Sequence, residues 1–185
     1  MRSSRKRRPQ MNPQASSEQD TAPSDSAGAR EDSDALMARF LTSCPAAQLA
    51  AGSLRAGAEV GITFTDLSGD WCVRVAEGGG RLTLVPGKAT DPDFELRISP
   101  GAVDSICARP DADLGDLGVA FFEHIKTRDP EQKIRVTLHS GLVKLTRRGW
   151  LTLLARGGKK VVAWMANKGL RGAGAIAGAL ARIRS

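Results

Sequence analysis

The segment from Asp93 to Cys107 constrains the fold most, because a strand pattern and a helix pattern follow each other in it without a gap. In the run Asp-Phe-Glu-Leu-Arg-Ile-Ser, apolar and polar residues alternate, which predicts a strand with one buried and one solvated face. Ser99 and Pro100 then have the character of an N-cap and a first helical residue, and apolar residues continue at helical spacing until Arg109. The segment predicts an open sheet with one face covered by helices.

The same alternation predicts four further strands, at residues 60–65, 71–76, 81–85 and 134–139. Gly- and Asp-rich turns separate the first three of them and the strand of residues 94–98, so we expect these four to form an antiparallel meander. The strand at residues 134–139 follows a helical segment and completes the sheet.

Apolar residues at helical spacing predict the other elements. One helix starts near Asp34 and is interrupted at Pro45, a second pattern covers residues 114–125, and a last stripe runs from Ser140, as its N-cap, to Gly157. The fold class that these patterns predict is α+β, with a five-stranded, mainly antiparallel sheet and helices on one face.

The chain of 185 residues is long enough for one domain with a sizeable core. Residues 1–35 are rich in Ser, Pro, Gln and Asp and predict a disordered arm, residues 36–157 form the predicted domain, and residues 158–185 form a basic Gly- and Ala-rich tail. No signal-peptide pattern and no apolar run of spanning length is visible, so we expect a cytoplasmic protein that is peripheral to the membrane at most.

The net charge of +7 is concentrated at the C-terminus. Residues 1–35 carry six basic and six acidic residues, residues 36–157 carry 15 and 14, and residues 158–185 carry six and none. An anionic partner would therefore meet the tail or the basic cluster Arg2–Arg8.

Catalytic patterns are scarce. The only two histidines, His124 and His139, lack metal-binding neighbours and are interpreted as exposed or structurally satisfied residues. Asp91 and Asp93 flank Pro92, and turn formation explains them better than acid–base chemistry. The glycine-rich run 172–178 does not follow a strand and is not a nucleotide loop. We expect no catalytic residue, no metal site, no cofactor and no enzymatic activity.

Three cysteines, Cys44, Cys72 and Cys107, are odd in number and have no C-x-x-C spacing. This pattern favours reduced thiols over a disulfide framework or a zinc site. We expect each of them to be a small core or near-surface residue and not a reactive thiol.

An ordered set of motifs resembles the sterol carrier protein 2 (SCP2) lipid-binding family in its bacterial single-domain form. The set is Trp71-x-Val73-x-Val75, the run Gly-Arg-Leu-Thr-Leu at residues 80–84, Pro-Asp-Phe-Glu-Leu-Arg-Ile-Ser at residues 92–99, and Ile-Arg-Val at residues 134–136. The resemblance covers roughly residues 36–157 and rests on structural motifs.

The resemblance implies a domain that encloses an apolar cavity and holds a sterol, fatty acyl chain or other hydrophobic lipid in it without transforming it. Plain core packing is the alternative for each lining residue. The candidate lipid-binding residues are Phe64, Val73, Leu84, Phe94, Leu96, Ile98, Phe121, Val136, Leu138 and Trp150.

The tail resembles a basic amphipathic helix of the kind that binds membrane surfaces. We predict that it docks on anionic membranes, the alternative being a helix that frays, packs on its own domain or is solvated. The candidate membrane-contact residues are Lys159, Lys160, Lys168, Arg171, Arg182 and Arg184.

Two other functions stay open at this point. SCP2-like accessory subunits present hydrophobic quinone intermediates to biosynthetic enzymes, and the resemblance fits that role as well as a general carrier. Nucleic-acid binding through the basic termini is the less favoured alternative, because the basic clusters are not interleaved with aromatic residues and the central domain is nearly neutral.

Overall fold

The computed structural model describes residues 31–167, and the predictions for the remaining residues of the arm and the tail lie outside the described residues. A short 3₁₀ turn occupies Pro130–Gln132. The helices and strands, in chain order, are α1 (Ser33–Ser43), α2 (Pro45–Ala51), β1 (Glu59–Phe64), β2 (Trp71–Val75), β3 (Leu82–Pro86), β4 (Phe94–Ile98), α3 (Pro100–Cys107), α4 (Leu114–Lys126), β5 (Ile134–Leu138), α5 (Leu142–Arg147), α6 (Trp150–Arg156) and α7 (Gly158–Asn167).

The fold is α+β, with all five predicted strands in one mixed sheet of order β3-β2-β1-β4-β5. Three of the four strand pairs are antiparallel, and β1 and β4 are parallel. The predicted four-strand meander is therefore wrong in one step, because β4 lies beside β1 and not beside β3. The link after β3 crosses the polar face of the sheet, where the Glu59 carboxylate accepts hydrogen bonds from the backbone N–H groups of Thr90 and Asp91.

The apolar face of the sheet packs against the helices. Phe64, Ile98 and Ile134 lie side by side on β1, β4 and β5 and are 1%, 2% and 0% exposed. Helices α1 and α2 pack against β3, and α4 packs against β5. No helix within residues 31–167 is long and apolar enough to cross a membrane.

Ser99 is the N-cap of α3, as the sequence predicts, but its hydroxyl does not cap the helix. It donates to the carbonyl oxygen of Glu131 at 2.8 Å and so connects the start of α3 to the 3₁₀ turn. The local motif thus predicts the position of the helix start, and a long-range contact determines where the hydroxyl points.

The predicted last helix is two helices, because the chain turns sharply at Gly149. Gly149 has φ of 88°, a conformation that side chains with a Cβ rarely adopt, and a Cβ there would overlap the carbonyl oxygen of Ser53. Ser140 is also not the N-cap of α5, since Gly141 occupies that position. The turn places α6 over the sheet.

A fully buried carboxylate holds this arrangement together. Asp93 is 0% exposed, and its Oδ1 accepts hydrogen bonds from Ser140 Oγ at 2.6 Å and Arg148 Nη1 at 2.9 Å. Its Oδ2 accepts from Trp150 Nε1 at 2.7 Å. The prediction that Asp93 is a turn residue misses this role, in which one side chain connects the start of β4 to the chain on either side of α5.

We expect Asp93→Asn to lower the free energy of unfolding by about 3 kcal/mol, because an amide nitrogen cannot accept from these donors and Arg148 loses a buried counter-charge. Urea denaturation would measure the change.

Asp91→Asn is the matched control. Asp91 pairs with Lys144 and Arg148 as well, but its side chain is 63% exposed and screened by solvent, so its removal should cost much less than that of Asp93. Equal losses for the two variants would contradict the central role of the buried carboxylate.

We expect Gly149→Ala to destabilise the fold more than Gly78→Ala. Both glycines have nearly the same φ, 88° and 89°, but a Cβ at Gly78 meets nothing within 4 Å. The backbone strain of about 1–2 kcal/mol is common to both variants, and the overlap with Ser53 should add about 1–3 kcal/mol at Gly149 alone. Equal melting temperatures of the two variants would show that the carbonyl group of Ser53 moves away from the new Cβ without a loss of stability.

Candidate ligand-binding cavity

An apolar cavity of about 240 Å³ lies between the sheet and the helices. Four of the strands, β1 to β4, form its floor, and five helices, α1, α2, α3, α4 and α6, contribute its walls. Its lining consists of Met37, Leu41, Ala50, Leu54, Ala58, Val60, Ile62, Val73, Leu82, Leu96, Ile98, Ile106, Phe121, Trp150 and Leu153.

The local sequence explains how these side chains converge. Met37 and Leu41 are four residues apart, so they share one face of α1. Val60 and Ile62 are two residues apart on β1 and therefore point to the same side of the sheet. Ala50 on α2 has a small side chain, which leaves room between its helix and the sheet.

Trp150 gives the cavity one fixed wall. Its indole N–H donates to the buried Asp93, and its ring packs edge-on against Phe94 with centroids 5.0 Å apart and planes at 83°. The polar edge of the indole is thus satisfied at the carboxylate. None of the side chains lining this cavity in residues 31–167 is titratable, so the site can hold a ligand by excluding water but offers no acid, base or nucleophile.

The volume restricts the ligand. It lies below the roughly 300–1,000 Å³ of pockets that enclose drug-sized molecules and equals about eight water-sized volumes. In this conformation the cavity has room for a section of an acyl or isoprenoid chain and is too small to enclose a ligand as large as a sterol.

Half of the predicted lipid-binding residues line this cavity, and the others lie outside the lining. The five that line it come from β2, β4, α4 and α6: Val73, Leu96, Ile98, Phe121 and Trp150. The five outside it are Phe64, Leu84, Phe94, Val136 and Leu138.

Packing explains the five that lie outside. Phe64 is buried and packs edge-on against the ring of Trp71, with ring centroids 5.2 Å apart, and Phe94 packs against Trp150. Leu84, Val136 and Leu138 lie on the edge strands β3 and β5. These residues lie on the same apolar face of the sheet as the residues of the cavity floor. Alternation in the sequence predicts that face but does not show which of its residues line the cavity.

The sequence prediction missed ten lining residues. Val60 and Ile62 belong to the same alternating pattern as Phe64, and Met37 and Leu41 belong to the apolar face of the first helix, so a signal for these four existed. Leu82, Ile106 and Leu153 also belong to predicted strand or helix patterns, whereas Ala50, Leu54 and Ala58 carry no periodic signal.

Helix α7, the first part of the predicted tail, packs against α4. Trp164 stacks on Phe122 with ring centroids 5.2 Å apart, and Val161 is 2% exposed. A Cβ at Gly115 would lie 2.6 Å from the carbonyl oxygen of Gly157, so α4 and the start of α7 are in close contact there.

The predicted membrane-contact cations differ in their surroundings. Lys159 is exposed, whereas the ammonium of Lys160 lies 2.6 Å from Asp113 Oδ2 and 2.7 Å from Asp116 Oδ2. Hydrogen bonds with these carboxylates raise the pKa of Lys160, and the Lys160 ammonium lowers the pKa of Asp113. Lys168, Arg171, Arg182 and Arg184 lie outside the described residues.

The cysteines are free thiols, with Cys44 and Cys72 buried and Cys107 half-buried. Burial, more than any nearby charge, raises the pKa of Cys72 and raises the pKa of Cys107 to about 12. Within residues 31–167 no cluster of three or more His, Cys, Asp and Glu side chains could hold a metal ion.

We expect Cys107 to react slowly with iodoacetamide at pH 8, because a thiol whose pKa is about 12 stays protonated until far higher pH. Its alkylation in the native protein should be at least about 100-fold slower than in urea, where the pKa returns to about 8.5. Peptide mass mapping would follow the label at each cysteine. Equal rates with and without urea would show that the thiol is accessible and ionised.

Comparisons with known proteins find similarity among solved structures only. No family model matches the chain, and no curated protein matches it. Among solved structures, the chain is similar to one named "UbiJ-SCP2 Ubiquinone synthesis protein", with 16% identity, a TM-score of 0.36, and coverage of 67% of this chain and 86% of that one. Membership of this chain in the SCP2 family stays a prediction.

Proposed function

We propose that the protein binds the chain of a hydrophobic lipid in the apolar cavity and does not transform it chemically. The observation that carries the proposal is a cavity lined by fifteen residues, none of them titratable. Such a site gains free energy from every methylene removed from water, at about 0.8 kcal/mol each, and needs few polar contacts.

The energetics favour a ligand longer than the cavity. Roughly eight methylenes, one for each water-sized volume, would contribute about 6 kcal/mol. Association costs about 4–15 kcal/mol in lost freedom, so this section alone would bind weakly. A ligand of useful affinity must bury further chain length along the partly exposed lining residues.

Those residues identify the entrance. Leu41, Leu54, Phe121, Trp150 and Leu153 line the cavity and are half-buried, whereas Met37, Ala50 and Ala58 are buried. The ligand chain enters past these half-buried side chains, and its polar end stays at the surface, since no lining side chain could neutralise a charge.

Native mass spectrometry of protein purified from cells tests the proposal directly. We expect a co-purifying lipid, and its chemistry would separate a fatty acyl carrier from a protein that presents a prenylated quinone. Protein that carries no lipid and binds none of a series of fluorescent acyl or prenyl probes would overturn the proposal.

A matched pair of variants connects binding to this cavity. Ala50→Leu adds three carbon atoms to the lining and should weaken probe binding at least tenfold, because the new side chain occupies ligand volume. Ala35→Leu makes the same change on the exposed side of α1 and should leave binding unchanged. Fluorescence titration measures both, and circular dichroism confirms that both variants fold. Equal affinity of the two variants would place the ligand elsewhere.

A further inference from the structure

A second cavity, of about 350 Å³, lies on the opposite, polar face of the sheet. Gly61 on β1 contributes to its floor, and Lys88 and Ala89 from the link between β3 and β4 form one side. Two arginines, Arg97 on β4 and Arg135 on β5, line the other side. The two cavities are separated by the hydrogen-bonded sheet.

Arg97 and Arg135 are direct partners in the antiparallel ladder of β4 and β5. The Cβ atoms of residues paired in this way are about 4.5–5.5 Å apart, and like charges on such residues destabilise the sheet. Within residues 31–167, neither guanidinium forms an ion pair or a hydrogen bond. The fold thus keeps two exposed, uncompensated cations side by side.

Neither acidic residue of this cavity forms an ion pair with the two arginines. Asp70 accepts a hydrogen bond from Thr63 Oγ1 at 3.0 Å, and Glu95 Oε2 lies 3.0 Å from His139 Nε2. A hydrogen bond from a neutral hydroxyl leaves the charge of Asp70 in place, so these carboxylates weaken the positive field of the cavity but contact neither arginine. Lys88 adds a third cation and likewise forms no ion pair among the described residues.

We infer that this cavity is a binding site for a phosphate monoester group, held between Arg97 and Arg135 with Lys88 at its edge. Two adjacent guanidinium forks match the several oxygens of a phosphate, and the two positive charges match the −1.5 to −2 charge of a monoester near pH 7. A carboxylate or a phosphodiester has two charged oxygens and would engage fewer donors of the two forks than the three terminal oxygens of a monoester. The site is independent of the apolar cavity and does not rest on the function proposed for it.

The double variant R97Q/R135Q tests the site, with R81Q/R109Q as its control. Arg81 and Arg109 are exposed, do not line this cavity and form no ion pair among the described residues, so both double variants have the same net charge. Melting temperatures are measured against inorganic phosphate at constant ionic strength. Phosphate should stabilise the wild type and the control, and its apparent affinity should fall at least tenfold in R97Q/R135Q.

The variants also differ without phosphate. R97Q/R135Q should melt about 1–3 °C above the wild type, because it removes the repulsion across the ladder, whereas the control should not. A variant that is more stable and yet does not bind phosphate cannot be explained by a loss of folding.

Vesicles distinguish the source of the phosphate group. Phosphatidylcholine vesicles that contain phosphatidic acid present the monoester as a lipid headgroup, and sedimentation compares the two double variants on them. Loss of vesicle binding in R97Q/R135Q alone, without a response to free phosphate, assigns the site to a headgroup. Loss of the free-phosphate response alone assigns it to a soluble phosphate ester. Identical behaviour of both double variants in both assays overturns the inference, whatever the apolar cavity binds.

Discussion

The buried carboxylate of Asp93 is the interaction on which the shape of the apolar cavity depends. Ser140, Arg148 and Trp150 reach it from the end of β5 and from both sides of the turn at Gly149. A buried charge of this kind is costly to desolvate, and a well-packed apolar cluster could be equally stable. We therefore attribute to Asp93 a role in conformational specificity, because a single carboxylate with three side-chain donors fixes where α6, and with it the Trp150 wall, lies over the sheet.

Alternation in the sequence predicts each strand and the face it buries, because both depend only on neighbouring residues. It does not predict that β4 pairs with β1, since that pairing depends on where the link after β3 leads the chain. The anchor of that link is Glu59, whose carboxylate is bound by backbone N–H groups more than thirty residues away. The break at Gly149 is missed for a related reason, because its cause is the approach of Ser53 from another part of the chain.

The cavity is predictable only in part, for a physical reason. Large apolar residues such as Leu96 and Phe121 indicate a buried face, and both of them line the cavity. A cavity also needs places where side chains are too short to fill the space, and Ala50 and Ala58 provide them. In the sequence these alanines look like ordinary core residues. Whether the core is filled or open depends on how the helices are placed over the sheet, which no local pattern encodes.

The two cavities are a consequence of one strand pattern. Arg97 lies between Leu96 and Ile98, which line the apolar cavity, so the alternation that builds a dry wall on one side of β4 must place a cation on the other. A shift of β4 by one residue in register would exchange its two faces, so both cavities depend on the same pairing of β4 with its neighbours. Because the sheet lies between them, one ligand group cannot occupy both. A lipid chain in the apolar cavity and a phosphate group at Arg97 and Arg135 would therefore bind as two separate events, connected only through the stability of the β4–β5 pair.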